Sequence, residues 1–381
     1  MFIGEFVDTY PPCVDGVGRV VLSYCQTLQR LGHTAYYIAP ASPNVNEDYG
    51  VPLLLTMSMP APGELFRVGL PMLDAKYRLT VDRLPFEIVH AHSPFLAGME
   101  AKRVARKHDI PLVSTFHSKY YDDALAKTHS PRLAREVVQR IVSLYDCCDG
   151  VWTVNHATAE VLHGYGYKGE ILVMENGTDL EAVDPAAKRA MEERLHLQPG
   201  VPTLIFVGQH NYKKNLHGVL GAAARLKKQG IPFQLLMVGD GPDYDAIVRE
   251  AETLGIRAAC HFLGFISDRA SLMALYSMAD LFVFPSLYDN APMTLREAAA
   301  MGTPGLLVAG SCAAEGVEDG VNGYISPDES ADSIAATILR ALPTTAAVGE
   351  RARTTIPVSW ESIMHRVVAE YERLIGTKKR A

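Results

Sequence analysis

The stretch "SLYDNAPMTLREAAAMGTP" holds two carboxylates, Asp289 and Glu297, with seven residues between them. Asp289 and Asn290 stand just ahead of a helix-period run, where a short polar side chain can cap exposed amides. Pro292 lies near the first turn, where its missing N–H costs little, and Gly302 followed by Pro304 closes the helix. Glu297 sits among Leu295, Ala298, Ala299 and Met301, a small apolar setting in which a merely solvated carboxylate is less natural. Three further stretches could handle an anion. "TLIFVGQHNYKKNLHG" places Lys213 and Lys214 between a strand-like run and a helix, where a strand-end ligand would lie. A solvated lysine pair is the plain alternative. "YPPCVDGVGRVVLSYCQTLQRLGH" places Gly16 and Gly18 at a helix start, where close backbone N–H groups and the helix dipole favour negative charge. There the plain alternative is a tight turn. "LLMVGDGPDYDA" repeats the strand–glycine–helix theme with Gly239 and Gly241 in its turn. A dinucleotide fingerprint would need a glycine three residues after Gly18, and Val21 stands there. A nicotinamide or flavin site is disfavoured.

Loops of this kind need sheets to position them. Short apolar runs alternate with helix-period segments along the chain, the pattern of βαβ units around parallel sheets. Strands are expected at "MFIGEFV", "TAYYIA", "FEIVHAH", "LVSTFH", "GVWTVN" and "EILVME", then at "TLIFVGQ", "FQLLMVGD", "HFLGFI", "LFVFPSL", "PGLLVAG" and "GYISP". The polar, proline-bounded "DLEAVDPAAKRAMEERLHLQPGVP" reads as the linker between two doubly wound α/β domains, a division that 381 residues favour. "VPLLLTMSMPAPGELFRVGLPML" breaks the alternation and reads as an irregular loop, or else as an apolar acceptor or membrane-facing surface. "VSWESIMHRVVAEYERLIG" reads as one amphipathic helix ending at Gly376.

Bulk properties narrow the function. The net charge is −7, and neither side of residue 180 is basic, with 16 Lys+Arg against 20 Asp+Glu before 181 and 20 against 23 after it. A nucleic-acid partner is therefore not expected. The six cysteines show no metal-ligand spacing and are expected to be reduced and mostly buried. No signal peptide and no apolar run of bilayer length is legible, so a cytoplasmic location is expected, with peripheral contact at the inner membrane face left open. The segments "AKRVARKHD" and "RLAREVVQR" could serve such contact with anionic lipid, although solvated outer helix faces explain them more simply.

In their order and spacing, "YPPCVDGVGR…GH", "FEIVHAHSP", "STFHSKY", "ENGTDL", "VGQHNYKKN", "MVGDG", "FLGFISD", "SLYDNAPMTLREAAAMGTP" and "EDGVNGYISP" resemble the family 4 retaining glycosyltransferases over nearly the whole chain. The resemblance implies the GT-B fold, two Rossmann-like domains facing a central cleft. Residues 1–180 would form an acceptor-side domain and 181–357 a nucleotide-sugar donor domain. A helix over 358–381 would cross back to the first domain, with domain closure excluding water from the donor. It further implies that Glu297 holds the nucleotide ribose and that Asp289, a methylene shorter than the usual Glu, lies by the transferred sugar. Backbone N–H groups around Ala291, Met293 and Thr294 would face the diphosphate, with Lys214 beside it. Gly16, neighboured by Gly18, would reach the same group, and Gly239 would belong to the donor-binding loops. His117 would lie beside the transferred sugar, as a neutral hydrogen-bonding imidazole or as a charge. His90 and His92 would stand behind it or on the acceptor side. Gln209 occupies a position where the family commonly has Arg, with Lys213 and His210 the nearest replacements. The implied donor is a nucleotide diphosphate sugar, UDP-linked by the commonest family choice, with no metal and no other cofactor. The acceptor would be a glycan, a glycolipid or a small molecule. A non-catalytic sugar-nucleotide-binding partner subunit is the alternative reading.

Overall fold

The computed structural model describes residues 1–380 apart from 10–15, 43–48, 62–66 and 181. Most of the "YPPCVDGVGR" stretch, Cys13 with it, lies outside the described residues. The chain divides into two compact units, one made of residues 1–176 with 360–381 and the other of 177–359.

The first unit carries β1 (Phe2–Phe6), β2 (Thr34–Pro40), β3 (Leu53–Thr56), β4 (Ser58–Pro60) and β5 (Arg67–Gly69). There follow β6 (Ile88–Ala91), β7 (Leu112–Phe116), β8 (Gly150–Thr153) and β9 (Leu172–Val173). Its helices are α1 (Gly16–Arg30), α2 (Ala75–Val81), α3 (Leu96–His108), α4 (Tyr120–Thr128), α5 (Pro131–Tyr145) and α6 (His156–Gly164). The sheet runs β3-β2-β1-β6-β7-β8-β9 with every pairing parallel. Strands such as Leu112–Phe116 are buried along their whole length, as strands covered on both faces must be.

The second unit carries α7 (Pro185–Leu195), β10 (Thr203–Val207), α8 (Leu216–Lys228), β11 (Gln234–Val238), α9 (Tyr244–Thr253) and β12 (Cys260–Gly264). It continues through α10 (Arg269–Ser277), β13 (Leu281–Val283), α11 (Met293–Ala300), β14 (Gly305–Val308), β15 (Tyr324–Ser326), α12 (Ala331–Ala341) and α13 (Thr345–Thr355). Its parallel sheet runs β12-β11-β10-β13-β14-β15. The last helix, α14 (Trp360–Lys378), belongs to the first unit. Both sheets are Rossmann-like. In each, the strand order reverses once, between β1 and β6 and between β10 and β13. Ligands of such sheets bind at the carboxyl ends of the strands beside that reversal.

Three expectations need correction. The segment 51–73 is not an irregular loop: Leu53–Thr56 adds a parallel strand against β2, and β4 and β5 form a small antiparallel pair. Its prolines hid this because Pro52 precedes a strand and Pro60 ends one, positions that a sheet edge tolerates. Met57, Met59, Met72 and Leu73 of this segment are exposed. The proposed linker contains α7, whose Met191 and Leu195 are buried in the second unit's core. α14 does not stop at Gly376 but runs to Lys378. Of the described cysteines, Cys25, Cys260 and Cys312 are buried, while Cys147 is exposed.

Candidate active site

Past β10 the chain turns through Gly208, Gln209 and His210 into a 3₁₀ turn, Tyr212–Lys214. Side chains fix that turn from both ends. Asn211 Oδ1 accepts the Lys213 N–H at 2.9 Å, and Asp243 Oδ2 accepts the Tyr212 N–H at 3.0 Å. Asn215 adopts a left-handed backbone (φ 58°) and caps α8 by accepting the Gly218 N–H at 3.1 Å. Its amide also donates to the carbonyls of Pro285 (3.3 Å) and Glu329 (2.8 Å), which ties the lysine turn to the loop after β13. Lys214 Nζ therefore reaches Asp289 Oδ1 at 2.6 Å. The other oxygen, Oδ2, accepts from Ser286 Oγ at 2.6 Å. Lys213 Nζ lies 5.2 Å and Lys214 Nζ 6.0 Å from the centroid of the Tyr288 ring, so both cations stand within cation–π range of it.

Asp289 is thus not a helix cap. α11 begins at Met293 without any side-chain cap among the described residues. The N–H groups of Met293 and Thr294 belong to the first turn, which has no intrahelical acceptors, and Ala291 lies just ahead of it, before Pro292. Glu297, one turn further on, is 4% exposed. Arg269 Nη1 donates to Glu297 Oε1 at 2.7 Å, and its Nη2 lies 3.2 Å from Asp179 Oδ2. Tyr276 donates to Glu297 Oε2 at 3.4 Å. Burial works against the Arg269 charge, yet the carboxylates of Glu297 and Asp179 hold its pKa above the usual value. Arg269, Asp179, Tyr276 and Ser286 were not read from the sequence. Arg269 directly follows the helix-capping Asp268 in "FLGFISDR", but no spacing rule links it to Glu297, 28 residues away.

The two candidates beside Gln209 separate clearly. His210 is fully buried against Phe206, Tyr244 and Phe262, and burial lowers its pKa. It is a neutral packing residue at neutral pH, whereas Lys213 is an exposed cation. Gly239 has φ +126°, and a Cβ there would stand 1.9 Å from the Gly208 carbonyl oxygen. The two strand-end loops can touch only because that side chain is missing.

In the first unit, Gly16 opens α1, and among the described residues nothing lies within 4 Å of where its Cβ would stand. Gly18 instead packs on Thr9 and the Tyr37 hydroxyl. His117 follows β7 and is partly exposed. Its Nε2 lies 3.1 Å from His92 Nδ1, and His92 Nε2 lies 2.8 Å from Glu5 Oε2. Tyr371 of α14 donates to Glu5 Oε1 at 3.0 Å and meets His90 Nδ1 at 2.6 Å. His90 Nε2 meets Thr115 Oγ1 at 2.7 Å. Glu5, His90 and His92 are fully buried. Burial raises the Glu5 carboxyl from 4.5 to about 8 against the lowering effect of the Tyr371 bond. It lowers His92 to about 3, and it drives His90 and His117 well down with help from neighbouring imidazoles. His117 is accordingly neutral. The carboxylate and the two buried imidazoles bring ligand-type atoms within 4.8 Å of one another. Each of those atoms already holds a hydrogen bond within the line, which makes it a proton-sharing array.

Two family models cover this chain, one described as "Glycosyltransferase Family 4" over residues 14–182 and one as "Glycosyl transferases group 1" over 188–354. Among curated relatives, an alpha-monoglucosyldiacylglycerol synthase of Streptococcus pneumoniae is 27% identical over 311 residues, 80% of this chain and 70% of that one. A glycogen synthase of Mycobacterium tuberculosis is 28% identical over 390 aligned positions, 93% of this chain and 90% of that one. Among solved structures, Anabaena HepE in complex with UDP and glucose superposes with a TM-score of 0.78 at 20% identity, covering 98% of this chain and 99% of that one. Sucrose-phosphate synthase from Thermosynechococcus elongatus gives 0.83 at 19%, covering 98% and 99%. Two Rossmann-like domains in this order define the GT-B class. The chain belongs to the group 1 glycosyltransferases of that fold.

Proposed function

We propose that the protein transfers a sugar from a nucleotide diphosphate sugar, UDP-linked, to an acceptor hydroxyl with retention at the anomeric carbon and without a metal ion. The observation that carries this reading is the grouping of Lys214, Asp289 and the uncapped start of α11, with Glu297 one turn on. In this reading Glu297 accepts from the ribose hydroxyls, and the amides of Ala291, Met293 and Thr294 face the diphosphate. Lys214 offsets the charge that grows on the leaving diphosphate, and Lys213 stands in for the cation absent at Gln209. In the first unit, the α1 start at Gly16 and Gly18 offers backbone N–H groups to an anion, and in the second unit Gly239 keeps the strand-end loop open. The acceptor oxygen bonds to the anomeric carbon on the face from which the diphosphate departs, and a diphosphate oxygen takes its proton. Within the second unit Asp289 accepts from a hydroxyl of the transferred sugar, and within the first unit His117, a neutral imidazole, is the candidate for a hydrogen bond to a sugar hydroxyl.

A glycan or glycolipid acceptor is supported by the names of two relatives, a glycogen synthase and a monoglucosyldiacylglycerol synthase. Among the described residues no helix is long and apolar enough to cross a membrane; peripheral contact at the inner membrane face remains part of the proposal for a lipid acceptor. The test is a metal-free incubation with UDP-, GDP- and ADP-sugars, following release of the nucleotide diphosphate. Release from one donor, lost in Glu297→Ala, is the expected result. Binding of a donor without turnover in the presence of acceptor candidates would favour a non-catalytic binding subunit instead. No binding of any donor would end the proposal.

A further inference from the structure

Ser286 enters no step of the transfer just proposed, yet it grips the carboxylate that does. Beyond β13 the chain turns through Pro285 and Ser286 to reach Tyr288 and Asp289. Ser286 is fully buried. Its Oγ accepts the Tyr288 N–H at 3.2 Å and the Asp289 N–H at 3.3 Å. A serine hydroxyl has two lone pairs and one proton. Both lone pairs face an amide, so the proton has one direction left, along the 2.6 Å bond to Asp289 Oδ2. That length is typical of a hydroxyl donating to an ionised carboxylate. A serine that merely closed the turn would need the two amides and nothing more. This one spends its only proton on the side chain.

The other oxygen, Oδ1, receives Lys214 Nζ at 2.6 Å. The two partners of the carboxylate respond differently to an incoming diphosphate. Lys214 is a full charge on a flexible four-carbon stem, and a phosphate oxygen competes for it directly. Ser286 is neutral, out of reach of solvent and pinned by two backbone groups, so an anion has nothing to take from it. Once the ammonium turns to the diphosphate, Asp289 loses its partner on Oδ1 and keeps the one on Oδ2. The Asp289 side chain is 19% exposed, which leaves it room to swing toward water unless something holds it.

We propose that Ser286 is the positioning residue of Asp289: it fixes Oδ2, so that Oδ1, given up by Lys214 when the diphosphate binds, is the oxygen that accepts the hydroxyl of the transferred sugar. The inference rests on the roles proposed above for Lys214 and Asp289. It makes the grip on the sugar depend on a residue that the sugar never touches, whereas the grip on the nucleotide does not depend on it. A loop tie would behave otherwise. Loosening the turn would disturb the Asn215 bond to the Pro285 carbonyl, and with it the lysine turn, so nucleotide and sugar would suffer together.

The test measures, by calorimetry on the whole chain, the affinities for UDP and for UDP-glucose, or for the nucleotide and donor that the panel above selects. The quantity read is the ratio of donor affinity to nucleotide affinity, and its change on mutation isolates contacts to the sugar. Ser286→Ala should lower that ratio by about tenfold, with nucleotide affinity changed by less than about twofold. Ser286→Thr keeps the hydroxyl and should regain most of the ratio. In an Asp289→Ala background the carboxylate through which Ser286 acts is gone, so adding Ser286→Ala should alter the ratio by less than about twofold. Should Ser286→Ala fail to fold, Ser286→Cys, a weak donor of similar size, takes its place in every arm. An equal drop in both backgrounds, or parallel losses of nucleotide and donor affinity, would overturn the proposal and leave Ser286 a loop tie. Donor binding by the wild type with an unchanged ratio in Ser286→Ala overturns this inference alone. Absence of any donor binding by the wild type overturns the proposed function and this inference with it.

Discussion

Lys214 and Asp289 neutralise each other at 2.6 Å, so a diphosphate has to compete with a carboxylate for the same ammonium. Replacing Asp289 by Asn keeps a partner for Ser286 and frees the lysine. UDP affinity is expected to rise by about threefold to tenfold while turnover falls at least about a hundredfold, a split that calorimetry and initial rates read separately. For Lys214→Ala the sign reverses. A unit charge about 4 Å from an opposing one is worth roughly 4 kcal/mol at an effective dielectric of about 20. Part of that is covered by Lys213 beside the same Tyr288 ring, so a loss of about a hundredfold in donor affinity is expected, with a smaller loss for Lys213→Ala. Arg269→Ala would leave Glu297 buried without its charge partner and should lower stability by about 3 kcal/mol, measured by urea unfolding. The lysines and the two carboxylates were legible in the sequence because each stands at a strand–helix junction with helix punctuation around it. Arg269 and Glu5 were not. One meets its partner only through packing of α10 and α11, and the other hides in a strand buried on both faces, where no alternation marks an inward carboxylate.

At the scale of elements, the strand-end loops are held by backbone contacts that tolerate little change. Gly239→Ala would place a methyl 1.9 Å from the Gly208 carbonyl on a left-handed backbone, so the loops after β10 and β11 must separate. A loss of several kcal/mol is expected, with donor binding weakened alongside, because the Gly208–Lys214 turn moves with Gly208. Thermal unfolding and UDP titration of the same variant check both parts. The strand and helix pattern was legible because parallel strands leave continuous apolar runs, and every expected strand is present. The errors came where prolines and charge suggested looseness. β3 lies directly behind Pro52, and α7 takes Pro185 into its first turn with Asp184 as its cap. In both places proline starts an element instead of interrupting one.

For the molecule as a whole, the buried line in the first unit couples stability to pH. Glu5 is neutral in the folded state, so its contribution is complete below about pH 4.5 and is lost as pH rises through about 8. Asp8, raised by burial to about 6, behaves alike over a lower range. His90, His92 and His117 have the opposite sign: their contribution is present above about pH 6.5 and is lost as pH falls. Urea midpoints should therefore peak near pH 6.5 and decline toward pH 9, and Glu5→Gln should abolish that alkaline decline. Tyr371, which closes this line, comes from α14, whereas the rest of the first unit is encoded before residue 177. During synthesis the second unit is a continuous stretch and can fold as it leaves the ribosome, but the first must wait. Until α14 emerges, Glu5, His90 and the apolar surface that receives Trp360, Ile363, Val367 and Leu374 stay uncovered. The half of the chain that is made first is thus the half that is finished last, and for that interval it depends on protection from aggregation.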